Sequence, residues 1–192
     1  MRLYTLVLSI LLFSCKDALD TVTSDPYTEI QKALSINPSA LENYAAQGKP
    51  AYVNKDNTGP NAITDKTATL GRVLIYDKNL STNNTIACAS CHKQDFAFGD
   101  TAVSSLGVEN GRTERHSMRL INTRYANEAK FFWNERAASL EAQTTMPIVD
   151  HLEMGFSGQT GRGNMSSLLT KLNGLGYYKE LFTMAFGDGN IT

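Results

Sequence analysis

Five consecutive residues, Cys88-Ala89-Ser90-Cys91-His92, place two thiols and an imidazole at a spacing that suits covalent chemistry. Thiols at positions i and i+3 lie about one helical turn apart, so both can add to the vinyl groups of a single porphyrin. The adjacent His92 imidazole can then bind the iron as its proximal ligand. The pattern is the attachment signature of a c-type haem. A redox dithiol would want a strand-to-helix setting, whereas the preceding Ser81-Thr82-Asn83-Asn84-Thr85 is polar loop. A structural zinc site needs four ligands, and the other histidines, His116 and His151, make no His-x-x-x-His pair. The expectation is one haem c in this chain, attached at Cys88 and Cys91 and ligated by His92.

Helices and loops must hold that segment in place. Over 192 residues, 42% hydrophobic and 19% charged content suits one folded domain, placed at 61–192. A formal net charge of -1 with no basic run gives no electrostatic basis for a nucleic acid or an anionic membrane surface as partner. Residues 15–60 read as a tether and packing arm with a weak helical stretch over 28–47. Thr64-Asp65 can cap a helix that runs through Asp77, with Leu70, Val73 and Leu74 on a face turned to the core and the haem edge. Phe96-Ala97-Phe98-Gly99-Asp100 sets two aromatics beside the attachment loop, and residues 101–115 read as a long surface loop.

Asn127 to Ala138 is aromatic and amphipathic, and Ser139 caps a short helix expected to end before Pro147. The glycine-rich segment 154–164 reads as a flexible loop and not a phosphate cradle, because no strand precedes it and no Gly-Lys-Ser/Thr ends it. Helical spacing resumes over Ser166–Asn173 and Leu175–Phe186, until Gly187-Asp188-Gly189 interrupts it. Asn190-Ile191-Thr192 resembles the start of a further helix, so the chain reads as truncated. No segment alternates as a strand does, and the fold class expected is all-α with long loops.

Residues 1–14 have the form of a secretory signal, with Arg2 ahead of the apolar run Leu6–Phe13, which is too short to span a membrane. Ser14-Cys15 closes it like a bacterial lipobox, so Cys15 is expected to carry lipid and the protein to be a periplasmic lipoprotein, held to the membrane only there. With Cys15 acylated and Cys88 and Cys91 on haem, all three cysteines have a role in a non-reducing compartment.

Several blocks in order resemble the diheme cytochrome c peroxidase family, including its MauG-like members. They are Leu70-Gly71-Arg72 with Tyr76-Asp77 and Leu80-Ser81, then Cys88–His92 with Ala97-Phe98-Gly99-Asp100. Arg115-His116-Ser117-Met118, Phe132-Trp133-Asn134-Glu135-Arg136-Ala137, Leu140-Glu141 with Gln143, Pro147-Ile148 and Glu153-Met154-Gly155 follow. The resemblance covers roughly residues 60–192, the N-terminal haem domain of that family. It implies a cytochrome c-like helical domain whose haem reacts with hydrogen peroxide, followed by a second haem domain that is missing here. Electrons would come from that second haem or from a small donor protein such as a c-type cytochrome.

The resemblance also assigns roles by position. Glu153 is similar to the family's distal acid-base, Gln143 to a distal amide that hydrogen-bonds the peroxide, and Trp133 to an indole relay between two haems, with Pro147 shaping the pocket. A carboxylate there can take a proton from the peroxide and return it to the leaving oxygen. The loop after the attachment motif lacks the extra histidine that some members place over this haem, which implies an open site; His116 is expected to anchor a propionate or the backbone and remains a possible sixth ligand. Many relatives have asparagine at its position, near an interdomain calcium site, so calcium is left open. His151 is expected at the pocket rim or surface. The alternatives are MauG-like oxidation of a partner protein, or a single-haem electron carrier with Met118, Met146 or Met154 as axial ligand.

Overall fold

The computed structural model describes residues 25–59 and 61–192; the signal segment and Cys15 lie outside them. Among these described residues six α-helices follow in order: α1 (Thr28–Leu34), α2 (Asp65–Tyr76), α3 (Cys88–Cys91), α4 (Leu140–Val149), α5 (Met165–Asn173) and α6 (Gly176–Phe186). Among the described residues no strand forms, and extended pairing is confined to three isolated bridges. The molecule is therefore all-α, as its periodicities predict.

α6 organises the core. Tyr178, Leu181 and Met184 recur at helical spacing and are all buried, against Ile30 of α1, Leu70 of α2, and Leu168 and Leu172 of α5. The helix stops at Gly187, whose φ of 80° is one that glycine adopts without a Cβ clash. α2 starts as expected, with Thr64 Oγ1 accepting from the Thr67 N–H at 3.1 Å, and lays Leu70, Val73 and Leu74 on the core. α1 is much shorter than the stretch over 28–47 predicts. Ser35 turns left-handed at φ 54°, Pro38 disfavours helix just beyond, and the Asn37 side chain accepts from the Ser39 N–H in a local turn.

Three further differences bear on the site. α4 does not end before Pro147 but carries it and continues to Val149. Pro147 stands in the last turn, so the missing N–H removes one hydrogen bond, to the Gln143 carbonyl, just where the helix is ending. Segment 101–115 is not a surface loop throughout, since Ser105 and Val108 are each only 1% exposed. The Val108 N–H donates to the Glu153 carbonyl at 3.0 Å, and Arg162 pairs with Glu109 at 2.9 Å, joining this segment to the one after α4. There Met154 and Phe156 are buried as well. Finally, Asn190–Thr192 forms no helix: Ile191 is buried and its carbonyl accepts from Asn173 Nδ2 at 3.2 Å.

Candidate haem site

The attachment segment is a single helical turn. The Ala87 N–H donates to Ser90 Oγ at 3.0 Å and the His92 N–H to the Cys88 carbonyl at 2.9 Å, closing α3 at both ends. Both thiols are reduced and half-buried, and burial pushes each above the usual thiol range, so they are neutral. After α3 the chain reverses through Ala97 and Phe98, two non-glycine residues at φ 55° and 57°. This turn aims the Phe98 carbonyl at His92 Nδ1, 2.9 Å away. A carbonyl only accepts, so Nδ1 carries the hydrogen and Nε2 keeps its lone pair for a metal. Ser117 Oγ donates to the Cys91 carbonyl at 2.8 Å and lies 3.2 Å from the same Nδ1, a second acceptor for it.

A carboxylate braces this loop from behind. The Asp100 side chain is almost fully buried, with Oδ1 accepting from Lys93 Nζ and the Thr101 N–H at 2.7 Å each, and Oδ2 from Ser105 Oγ at 2.7 Å. Burial pushes its carboxyl up, but the bonds from Lys93, Ser105 and the Ala102 and Thr101 N–H groups outweigh it and hold the carboxyl well below the usual range.

Cys91, His92, Trp133, Gln143 and Glu153 meet in one cleft of about 350 Å³, a volume within the range of cofactor sites. Cys88 does not line it; its side chain packs against the core cluster. Gln143 and Pro147, four positions apart on α4, share the face turned to the cleft. Glu153 comes from the loop that follows, where Asp150 Oδ1 accepts from the Leu152 and Glu153 N–H groups at 2.8 and 3.0 Å. The Met154 N–H reaches the Pro147 carbonyl and the Thr82 N–H the Met154 carbonyl, so this loop is tied to both α4 and the loop before α3. The Glu153 carboxyl makes no hydrogen bond among the described residues. Burial first, then the nearby Asp150 charge, pushes it above the usual carboxylate range, with Arg136 acting against them.

Trp133 is 61% exposed at the cleft, with Nε1 donating to the His116 carbonyl at 2.9 Å. The His116 ring turns back to the protein, its Nε2 on the Asp100 carbonyl at 2.9 Å. His151 lines the cleft edge and bonds Ser157 Oγ at 2.9 Å. Of the three methionines considered as axial ligands, Met118 lines the cleft, while Met154 is sealed in the core and Met146 is not among the lining residues. Among the described residues no group of three or more His, Cys, Asp or Glu side chains could hold a metal ion.

These residues fit a covalently held haem: two free thiols one turn apart, an imidazole whose Nε2 is available, and a cleft into which Arg112, Arg115 and Arg136 bring positive charge suited to propionates. Three residues stand in blocks the sequence shows, but their roles were not apparent from it. Phe98 acts through its carbonyl, Ser117 through a contact 25 positions away, and Asp100 through a buried network. Arg136, whose guanidinium lies 3.5 Å over the Phe132 ring and faces Glu153 electrostatically, stands in a recognisable block that does not disclose its role.

Comparison with known proteins agrees with this geometry. The sequence model of the di-haem cytochrome c peroxidase family matches residues 65–192. The methylamine utilization protein MauG of Methylophilus methylotrophus is 33% identical over 132 residues, covering 69% of this chain and 37% of that protein. The cytochrome c551 peroxidase of Nitrosomonas europaea is 28% identical over 125 residues, covering 65% of this chain and 35% of its own. A crystal structure of a MauG-like protein associated with microbial copper homeostasis superposes with a TM-score of 0.63 at 29% identity, covering 72% of this chain and 39% of that one. The chain thus spans little more than a third of the length of these relatives. Its helical fold, its Cys88–His92 segment and these matches together place the chain in the di-haem cytochrome c peroxidase family.

Proposed function

We propose that this domain reduces hydrogen peroxide at one haem c, attached through Cys88 and Cys91 and ligated by His92, with Glu153 as the proton carrier. The observation that carries the reading is the Glu153 carboxyl, half-buried, raised above its ordinary range and set in the same cleft as His92. When bound, the haem iron supplies the electron transfer that cleaves the O–O bond. Gln143 orients the peroxide by hydrogen bonding, and Pro147 limits the space beside it. Ionised Glu153 takes a proton from one peroxide oxygen and returns it to the other, which departs as water. Arg136 acts against the rise in the Glu153 carboxyl and so favours its ionised form. Phe98 and Ser117 hold the His92 Nδ1 hydrogen and thereby fix the orientation of its imidazole.

Electrons enter from a small donor protein such as a c-type cytochrome, or from a second haem in the part of the longer relatives that this chain does not match, with Trp133 as the relay. The chain is exported to the periplasm and anchored by lipid on Cys15. The exposure of Trp133 favours a second reading, MauG-like oxidation of a partner protein whose surface meets the indole.

Expression of the full chain in a periplasm competent for c-type haem maturation tests the reading. One added haem mass, with a high-spin ferric spectrum that responds to hydrogen peroxide and a slower response in Glu153→Gln, is expected. A low-spin spectrum inert to peroxide would favour an electron carrier ligated by Met118. Absence of haem would refute the assignment of Cys88, Cys91 and His92.

A further inference from the structure

A second polar cluster, unused by the chemistry above, sits at the start of α6. The Tyr177 and Tyr178 hydroxyls both donate to one atom, Asp77 Oδ2, at 2.7 and 2.8 Å. Their ring centroids are 4.7 Å apart. Asn79 fixes the arrangement, its Nδ2 donating to the Tyr177 oxygen at 3.1 Å and its N–H to Asp77 Oδ1 at 2.7 Å. Tyr178 is fully buried in the core cluster, and Cys88 packs against the same cluster. On the other side, Tyr177 and Asp77 line a cavity of about 720 Å³ between α1 and α2, bordered by Tyr44, Arg72 and the half-exposed Tyr76. Burial, and with it the Asp77 charge, raises both phenols, so each keeps its hydrogen in the resting protein.

We propose that Tyr178 and Tyr177 form a redox relay that carries oxidising equivalents from the Cys88 side of the core to the α1–α2 cleft, with Asp77 Oδ2 as the proton holder shared by both. The relay rests on the peroxidase reading, since hydrogen peroxide is its oxidant. After peroxide has oxidised the haem site, Tyr178 gives that site one electron and passes its phenolic proton to Asp77, leaving a neutral tyrosyl radical. Tyr177 then gives one electron to Tyr178. Asp77 returns its proton to Tyr178 and receives the Tyr177 proton on the same oxygen, so the radical moves outward without separating charge. A small phenol in the cleft restores Tyr177 by giving one electron; Asp77 returns the proton, and the phenol loses its own proton to water. The half-buried carboxylate suits this task because it accepts from both phenols at once, whereas a surface tyrosine would have to release its proton to solvent.

The test uses the haem-loaded full chain, mixed with hydrogen peroxide and freeze-quenched for electron paramagnetic resonance while the haem spectrum is followed. A radical signal narrowed by ring-deuterated tyrosine, spin-trapped on Tyr177 or Tyr178 of the wild type, and lost in Tyr178→Phe is expected. Tyr177→Phe and Asp77→Asn should diminish it, and 4-methoxyphenol should shorten its life in the wild type. Trapping in the unmodified chain decides the matter even if a core variant does not fold. A peroxide-responsive haem with no tyrosyl radical, or with the adduct on another residue such as Trp133, would overturn the relay and leave the peroxidase reading standing. A haem spectrum that ignores peroxide would remove both, and the optical trace tells these failures apart.

Discussion

At the scale of single residues the site depends on two carboxyls that their surroundings push in opposite directions. Glu153 is raised chiefly by burial, so its proton leaves at a higher pH than that of an exposed glutamate. Its sign follows: the fold favours the protonated form, so its contribution to stability is full below the unfolded pKa, ~4.3, and is lost as pH rises through the folded value. Glu153→Gln should therefore slow the peroxide reaction by about 10²–10⁴-fold while leaving the melting temperature at neutral pH equal or higher; stopped-flow kinetics and calorimetry on the same sample check both. In the wild type the reaction rate should fall with acid at a higher pH than an exposed glutamate would impose. Asp100 behaves in the opposite sense. Held below the usual range, it stabilises the fold above the unfolded pKa, ~3.9, and that stability is lost as pH falls through the folded value. Asp100→Asn should cost about 1–3 kcal/mol at neutral pH and flatten the acid side of a melting temperature against pH profile. A profile unchanged by the substitution would show that the Lys93 and Ser105 bonds do not stabilise the loop.

At the scale of elements, Glu153 is placed by one loop docking on another. Gly107 lies against Leu152 so closely that a Cβ would come 1.8 Å from its carbonyl oxygen, a backbone atom that cannot swing aside. Gly107→Ala should destabilise by about 3 kcal/mol and also slow the peroxide reaction, because the Val108 N–H would leave the Glu153 carbonyl. Urea denaturation and peroxide kinetics on the variant test the link; normal kinetics in a destabilised protein would separate docking from catalysis. The α4 result is of the same kind. Pro147 reads locally as a helix stop, yet its position in the last turn lets α4 continue and present Gln143 on the cleft face.

At the scale of the whole molecule, α1 is part of the core that carries the site. Its first N–H groups are capped from α6, with Glu180 accepting from Glu29 and Ile30 at 3.1 and 2.8 Å, and Ile30 is fully buried. Ile30→Ala should cost about 2–5 kcal/mol and Glu180→Ala about 1 kcal/mol, each within one cooperative unfolding transition. A separate early transition in urea would show that α1 folds apart from the rest. What the sequence by itself determined is what short spacing encodes. It set two thiols one turn apart beside an imidazole, the helical periodicity of α2, α5 and α6, and, through ordered blocks, the family. The tertiary structure alone decided that segment 101–115 is half buried, that Phe98 and Ser117 hold His92 Nδ1, and that Glu153 loses solvent while Asp100 gains partners. Those features have no local signature. They arise where Ala97 and Phe98 adopt left-handed backbone without glycine, and where contacts such as Val108 to Glu153 join residues far apart in the chain, because burial and hydrogen bonding are properties of the packed whole.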